Sequence, residues 1–140
     1  MPENIVLENG GSLIIEKRDG EKTFEISISI DSDDECILHW GLSKGNRPGW
    51  QMPPDKFWPK DTEQFGQGAV QSVFNKIDGK KKVEFKIDKE FLLKQKGFNS
   101  PSFVIYYPQT NRWDNNRGKN YVIWLGEGQS GTAALIEEIA

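Results

Sequence analysis

Strict alternation of apolar and polar residues marks two stretches of this chain as half-buried β-strands. Residues 23–31 show it best, with four apolar side chains on one face and polar or acidic side chains on the other, and residues 82–88 repeat it. Such period-two alternation is typical of a strand with one face against a core and the other in solvent. Six apolar side chains of these stretches are therefore expected to share one core: Phe24, Ile26, Ile28, Val83, Phe85 and Ile87.

The rest of the pattern predicts an all-β fold. Six further stretches have strand character: residues 4–8, 12–17, 36–42, 69–77, 102–107 and 119–125. Turn-forming residues separate them, and Asp78-Gly79 between two strand patterns indicates a tight hairpin. About seven or eight short strands without a long helical stretch favour an immunoglobulin-like antiparallel β-sandwich. A helical turn is expected in residues 88–97, with Asp88 as N-cap and Gly97 as the C-terminal stop.

The length of 140 residues suits a single domain. We assign residues 1–125 to the sandwich module. Residues 126–140 contain three glycines and then a helical pattern that starts near Thr132 and stops after barely two turns. They are expected to be a linker and the start of a truncated helix, so that a further C-terminal domain is covalently attached in the full-length protein. Residues 43–68 form a long connection with four prolines, and connections of that length are often functional.

Charge and composition argue against several classes of partner. The formal net charge is −3, and no basic face is evident, so we expect no nucleic-acid partner. No apolar run approaches the roughly 20 residues of a membrane helix, and we expect no membrane partner. The single cysteine, Cys36, excludes an intrachain disulfide, and no secretory leader pattern opens the chain. Both observations favour an intracellular setting, either cytoplasm or plastid.

The chain offers no recognisable catalytic or metal-binding constellation. Its only histidine, His39, lies three residues from Cys36 on one predicted strand, so the two side chains should point to opposite faces. One cysteine and one histidine also fall short of a zinc ligand set. The acidic run at residues 31–35 is best explained as a solvated turn, with a weak calcium site as the alternative. We therefore expect a non-enzymatic domain with no cofactor and no metal.

Five tryptophans carry the most functional information. Trp40 shares a strand face with two leucines and is expected in the core, which turns its neighbour His39 outward. Trp58 lies among prolines and is expected to fix the long connection, whereas Trp124 could face either way. Trp50 follows Pro48-Gly49 in that connection, and its surroundings predict an exposed ring.

Trp113 lies in a polar turn that runs from Asn111 to Asn116 and contains no other apolar residue. Its ring, like that of Trp50, is expected to be exposed, with folding back onto the core as the alternative. An exposed ring beside amides and carboxylates is what a sugar site needs, because the ring packs on the apolar face of a pyranose while polar groups bond its hydroxyls.

Three pieces of sequence, in this order, resemble starch-binding carbohydrate-binding modules of families 25 and 53 and the N-terminal starch-binding regions of plant α-glucan, water dikinases. They are the strand Ile37-Leu38-His39-Trp40-Gly41, the loop Pro48-Gly49-Trp50-Gln51-Met52-Pro53-Pro54, and a final hairpin with the turn Trp113-Asp114-Asn115-Asn116. The resemblance covers roughly residues 20–125.

The resemblance implies an immunoglobulin-like sandwich that binds starch or glycogen, and it places the site on five residues. His39, Trp50 and Trp113 would form an aromatic platform, with Asn115 or Asn116 as polar partners of the sugar. A module of this kind would target an attached enzyme to its α-glucan substrate. The alternative is an immunoglobulin-like protein–protein interaction module in which both tryptophans anchor a partner.

Overall fold

The computed structural model describes residues 3–8, 11–45, 49–94, 97 and 99–125, and it consists mainly of two antiparallel sheets. The sheets pack face to face around one core, so the prediction of an all-β sandwich is confirmed. The predicted linker at residues 126–140 lies outside the described residues.

The first sheet contains five strands in the order β1-β2-β3-β9-β8. Its strands are β1 (Glu3–Val6), β2 (Ser12–Asp19), β3 (Thr23–Asp31), β8 (Asn75–Ile77) and β9 (Lys80–Asp88). The two strictly alternating stretches are β3 and β9, which pair with each other at the centre of this sheet. Asp78 and Gly79 connect β8 to β9, and both have positive φ, as expected of a tight hairpin turn.

The second sheet contains seven strands, five of which follow the order β11-β10-β4-β7-β6. The short strands β5 and β12 pair with β4 and β10, respectively. Its strands are β4 (Ile37–Ser43), β5 (Trp50–Gln51), β6 (Thr62–Phe65), β7 (Ala69–Val73), β10 (Ser100–Tyr107), β11 (Arg112–Asp114) and β12 (Tyr121–Val122). Strand β4 is central and is flanked by β10 on one side and by β5 and β7 on the other.

Apolar side chains from both sheets fill the core. Trp40 of β4 is 1% exposed, stacks on Phe85 of β9 at 4.3 Å between ring centroids, and donates from Nε1 to Ser72 Oγ at 3.0 Å. Five of the six side chains predicted to share the core are buried, and Phe24 is partly buried against it. The core position of Trp40 is therefore confirmed, and it turns His39 to the outer face.

Three sequence expectations differ from the structure. The described residues form twelve strands rather than seven or eight, partly because residues 69–77 divide into β7 and β8 around the buried Phe74. The long connection at 43–68 contains β5, a 3₁₀ turn at Asp55–Phe57 and β6. The helical turn is shorter than predicted: α1 spans Lys89–Leu93 with Asp88 as N-cap residue, but Asp88 makes no side-chain capping bond.

The two remaining tryptophans pack at the periphery. Trp58 is partly buried against the core and donates from Nε1 to Pro53 O at 2.8 Å, so it fixes the connection as expected. Trp124 is also partly buried, and its ring covers Gly45, where a β-carbon would lie only 2.5 Å from the indole.

Candidate functional site

The outer face of the seven-stranded sheet carries five neighbouring rings, which we call the aromatic cluster. Outward positions alternate with core positions along each strand, so His39 points out between the buried residues Leu38 and Trp40. The members of the aromatic cluster are His39, Trp50, Phe65, Tyr106 and Trp113.

His39 lies at the centre of the cluster. Its ring centroid is 5.8 Å from that of Trp50, 4.9 Å from Phe65 and 5.1 Å from Trp113. Phe65 and Trp113 both contact it edge to face, with interplanar angles of 82° and 85°. The sequence prediction that His39 faces outward beside both tryptophans therefore agrees with the geometry.

Burial and one hydrogen-bond contact influence the protonation of the His39 imidazole. The surrounding rings remove it from water, and this desolvation lowers the pKa of His39 below its usual value. The side-chain amide nitrogen of Gln71 lies 3.2 Å from Nδ1 and donates to it when that nitrogen is unprotonated. Because its pKa is lowered, His39 favours the uncharged imidazole at neutral pH.

Trp50 is held against the sheet by two glycines. Strand β5 pairs Trp50 with Ser43 of β4, and the indole lies over Gly41. A β-carbon on Gly41 would lie 2.5 Å from the Gly68 carbonyl oxygen and 3.0 Å from the Trp50 ring. Trp50 is partly buried, so it is less exposed than the sequence predicted and lies partly folded back onto the sheet. The reason is local, because the missing side chain at Gly41 lets the ring settle on β4.

Trp113 belongs to a strand rather than to a turn. Strand β11 pairs it with Tyr106 of β10, and the two rings lie 4.4 Å apart and tilted by 38°. The Tyr106 hydroxyl donates to Asn111 Oδ1 at 2.8 Å, which fixes the turn between the two strands. Trp113 is 43% exposed, as the sequence predicted, even though its side chain leans over the sheet.

A buried carboxylate holds β11 in place. Asp114 is 2% exposed and accepts three hydrogen bonds: from Glu8 N at 2.8 Å, from Asn116 N at 3.1 Å and from the Tyr121 hydroxyl at 2.8 Å. Burial alone would raise the pKa of Asp114, but these donors outweigh it and lower the pKa below its usual value. Burial together with the Asp114 carboxylate strongly raises the pKa of Tyr121. The carboxylate therefore ties the strand that bears Trp113 to β12 and to the N-terminal segment.

The two asparagines named as sugar partners bond within their own loop. Asn115 is exposed, and its Oδ1 accepts from Gly118 N at 3.0 Å. Asn116 is partly buried, has φ of 56° and donates from Nδ2 to Asn120 O at 2.9 Å. Asparagine tolerates this left-handed conformation better than most residues. The turn geometry accounts for both asparagines, and their contact with a ligand stays a prediction.

Phe65 and Tyr106 are members of the cluster that the sequence analysis missed. Every residue of β10 except Tyr106 is buried, and its continuous run of apolar and aromatic residues gives no alternation that would single out Tyr106. Strand β6 has the sequence Thr-Glu-Gln-Phe, which shows no apolar alternation, and nothing in it singles out Phe65.

The cluster suits a curved apolar ligand with polar edges. Phe65 is 49% exposed and Trp113 43%, and their planes are inclined by 62°. Rings at such angles cannot lie along one flat face, so a straight ligand would contact only part of the cluster. A ligand that bends would contact several ring faces at once.

The described part of the chain shows neither a metal centre nor a membrane span. Within it, no group of three or more His, Cys, Asp or Glu side chains is arranged to hold a metal ion. No helix in the same ranges has the length and apolar character needed to cross a bilayer.

Comparison with known proteins identifies a matching family and related proteins. The family model for the alpha-glucan water dikinase 1 Ig-like N-terminal domain matches residues 1–125. Alpha-glucan water dikinase 2 of Arabidopsis thaliana is 29% identical over 119 residues, covering 85% of this chain and 9% of that protein.

Two further relatives are similar over much of the chain. Alpha-amylase 3, chloroplastic, of Arabidopsis thaliana is 25% identical over 75% of this chain and 12% of that protein. Alpha-glucan water dikinase, chloroplastic, of Solanum tuberosum is 24% identical over 76% of this chain and 7% of that protein. The chain thus spans about a tenth of the length of these curated relatives. No solved structure matches it significantly.

Proposed function

This chain belongs to the family of Ig-like N-terminal domains of alpha-glucan water dikinase 1, and we propose that it binds α-1,4-linked glucan, as in starch or glycogen, on the aromatic cluster without catalysing a reaction. The observation that carries the proposal is the connected group of five rings on the outer face of one sheet, three of which contact His39 directly. Two of them are more than two-fifths exposed.

The chemistry of sugars explains why such a surface would bind them. A pyranose has an apolar C–H face that packs on an aromatic ring, and a rim of hydroxyls that needs hydrogen-bond partners. Trp113 and Trp50 supply ring faces, and the imidazole of His39 supplies a polar group at the centre. Asn115, which is exposed two residues after Trp113, and Asn116 are proposed as further polar partners.

The relatives give the proposal its context. Their names describe two alpha-glucan water dikinases and an alpha-amylase, and two of the names also say chloroplastic. We propose that this domain targets an attached enzyme to its polysaccharide, in a plastid or elsewhere inside the cell. In this respect the domain would act like the starch-binding modules of families 25 and 53.

The expected affinity is modest. An aromatic contact contributes roughly 0.5–1.5 kcal/mol beyond area burial, and a hydrogen bond exchanged with solvent contributes about 1 kcal/mol. A few of each give a dissociation constant between ~10 μM and ~1 mM. At that affinity, loss of one tryptophan should remove most measurable binding.

Calorimetric titration with maltoheptaose tests the proposal. The parent protein and Val73→Ala should bind equally, because Val73 is 44% exposed on the same sheet face but lies outside the cluster. Trp113→Ala should lose most of the affinity but stay folded at the titration temperature, although the lost contacts with Tyr106 and His39 should lower its melting temperature somewhat. If the parent does not bind maltoheptaose, or if Trp113→Ala binds like the parent, the proposal is wrong. The hypothesis to test would then be a protein–protein interaction module.

A further inference from the structure

Phe65 occupies an unusual place for a phenylalanine. It is the last residue of β6, at the tip of the hairpin with β7, and about half of its surface is exposed. Gly66 follows with φ of 71°, and no atom would lie within 4 Å of a β-carbon there. The ring is therefore held at an open edge of the sheet and is not buried in the core.

The ring of Phe65 reaches across the sheet toward the candidate sugar site. Strands β6 and β11 are four places apart in the sheet order, which corresponds to about 19 Å between their backbones. The ring centroids of Phe65 and Trp113 are nevertheless only 6.4 Å apart. Both side chains lean over β4 and meet above His39, so Phe65 is part of the same surface as Trp113.

We propose that Phe65 is a third sugar-contacting ring beside Trp50 and Trp113, and that the cluster therefore takes a curved α-1,4-linked chain of at least three consecutive glucose units. This inference rests on the proposed function and goes further by naming the residue and the ligand length. One pyranose covers one aromatic face, so Trp50, Phe65 and Trp113 engage three units.

The angle between the rings of Phe65 and Trp113 favours α-1,4-linked chains over β-1,4-linked chains. Phe65 and Trp113 are inclined by 62°, so units stacked on both must turn relative to each other. An α-1,4-linked chain turns in this way along its length. A straight β-1,4-linked chain would leave Phe65 without a partner once it lies on Trp113.

The test uses two substitutions that separate a sugar contact from simple coverage of His39. Phe65→Leu keeps an apolar side chain over the imidazole but removes the aromatic face, whereas Phe65→Tyr keeps the face. Val73→Ala is the matched control, because it removes a similarly exposed apolar side chain from the same sheet face. Each protein is titrated calorimetrically with maltose, maltoheptaose and cellohexaose, and its thermal melt is recorded.

Phe65→Leu should bind maltoheptaose about two- to tenfold more weakly than the parent, the loss expected for one aromatic contact. The ratio of its affinity for maltoheptaose to its affinity for maltose should be much smaller than in the parent. Phe65→Tyr and Val73→Ala should bind like the parent, all melts should agree, and cellohexaose should bind no protein measurably.

Two results overturn the inference without touching the proposed function. If the parent binds maltoheptaose and Phe65→Leu binds it equally well, the ring only covers His39. If Phe65→Tyr is weakened as much as Phe65→Leu, the aromatic face is not what the ligand needs. A parent that binds no maltoheptaose contradicts the proposed function itself.

Discussion

Replacing the buried carboxylate of Asp114 by an amide tests how the structure holds the strand that bears Trp113. In Asp114, Oδ1 accepts from Asn116 N and from the Tyr121 hydroxyl, and Oδ2 accepts from Glu8 N. Asparagine has the same shape but only one accepting oxygen. With that oxygen at the Oδ1 position, its NH₂ group would face the backbone N–H of Glu8, so that two donors would oppose each other.

The loss of stability in Asp114→Asn follows from the hydrogen bonds that change. A hydrogen bond to a charged group contributes about 1.5–3 kcal/mol, and a buried donor left without an acceptor costs a similar amount. Asp114→Asn loses one bond outright and weakens two others, because the acceptor becomes neutral. We expect the free energy of unfolding to fall by about 2–3 kcal/mol at pH 7. Tyr121→Phe removes one donor and leaves two, so it should cost less, about 1–2 kcal/mol.

Acid should narrow the difference in stability between the parent and Asp114→Asn. The pKa of Asp114 is lowered in the folded protein. The stabilisation from its charged form is therefore fully present above the unfolded pKa of about 3.9 and is lost as the pH falls through the folded value. Urea unfolding followed by tryptophan fluorescence at pH 7 and near pH 3 measures both proteins under both conditions.

Two results would refute this reasoning. Asp114→Asn as stable as the parent at pH 7 would mean that the three hydrogen bonds contribute little. A gap that stays constant down to pH 3 would mean that the charge of Asp114 is not what matters. The Tyr121→Phe variant serves as the graded control, since it should fall between the two proteins at pH 7.

Three further predictions concern the core and the cluster. Trp40→Ala should lower the free energy of unfolding by about 3–5 kcal/mol in urea titrations, because it empties a fully buried site; a fall below about 1 kcal/mol would contradict the core packing. Gly41→Ala should clash with the Gly68 carbonyl and with the Trp50 ring, which should cost about 1–3 kcal/mol of stability and weaken maltoheptaose binding by displacing Trp50. Unchanged titration and melting curves would show that the position of Trp50 does not depend on the glycine. Because the pKa of His39 is lowered in the folded state, the parent should lose stability as the pH falls below about 6.5, where the unfolded chain takes up a proton more readily. His39→Gln should remove this part of the acid destabilisation. A variant whose free energy of unfolding varies with pH as in the parent would contradict this.

The sequence pattern predicted a strand and its buried face where apolar and polar residues alternate strictly. The alternation at 23–31 corresponds to β3 with the same bounds, and the leucines beside Trp40 placed His39 on the outer face. Period-two patterning reports which side of a strand faces a core, and it does so without knowledge of the partner strand.

The parts that could not be predicted depend on contacts distant in sequence. One of the three hydrogen bonds that stabilise the buried Asp114 carboxylate comes from Glu8, 106 residues away, and no local pattern reveals that partner. Trp50 is partly buried because Gly41 lacks a side chain, and Phe65 joins the cluster only through the order of strands in the sheet. Site residues on short or edge strands carry little local signal, since their position is set by pairing with distant strands.

Affinity electrophoresis in a gel with embedded amylopectin tests the central claim most directly, with a glucan-free gel run alongside. The parent and Val73→Ala should be retarded only in the amylopectin gel, whereas Trp113→Ala should migrate alike in both. Free maltoheptaose in the gel should restore the parent's mobility. A parent that migrates equally with and without amylopectin, or a Trp113→Ala variant retarded as strongly as the parent, would contradict α-glucan binding by the aromatic cluster.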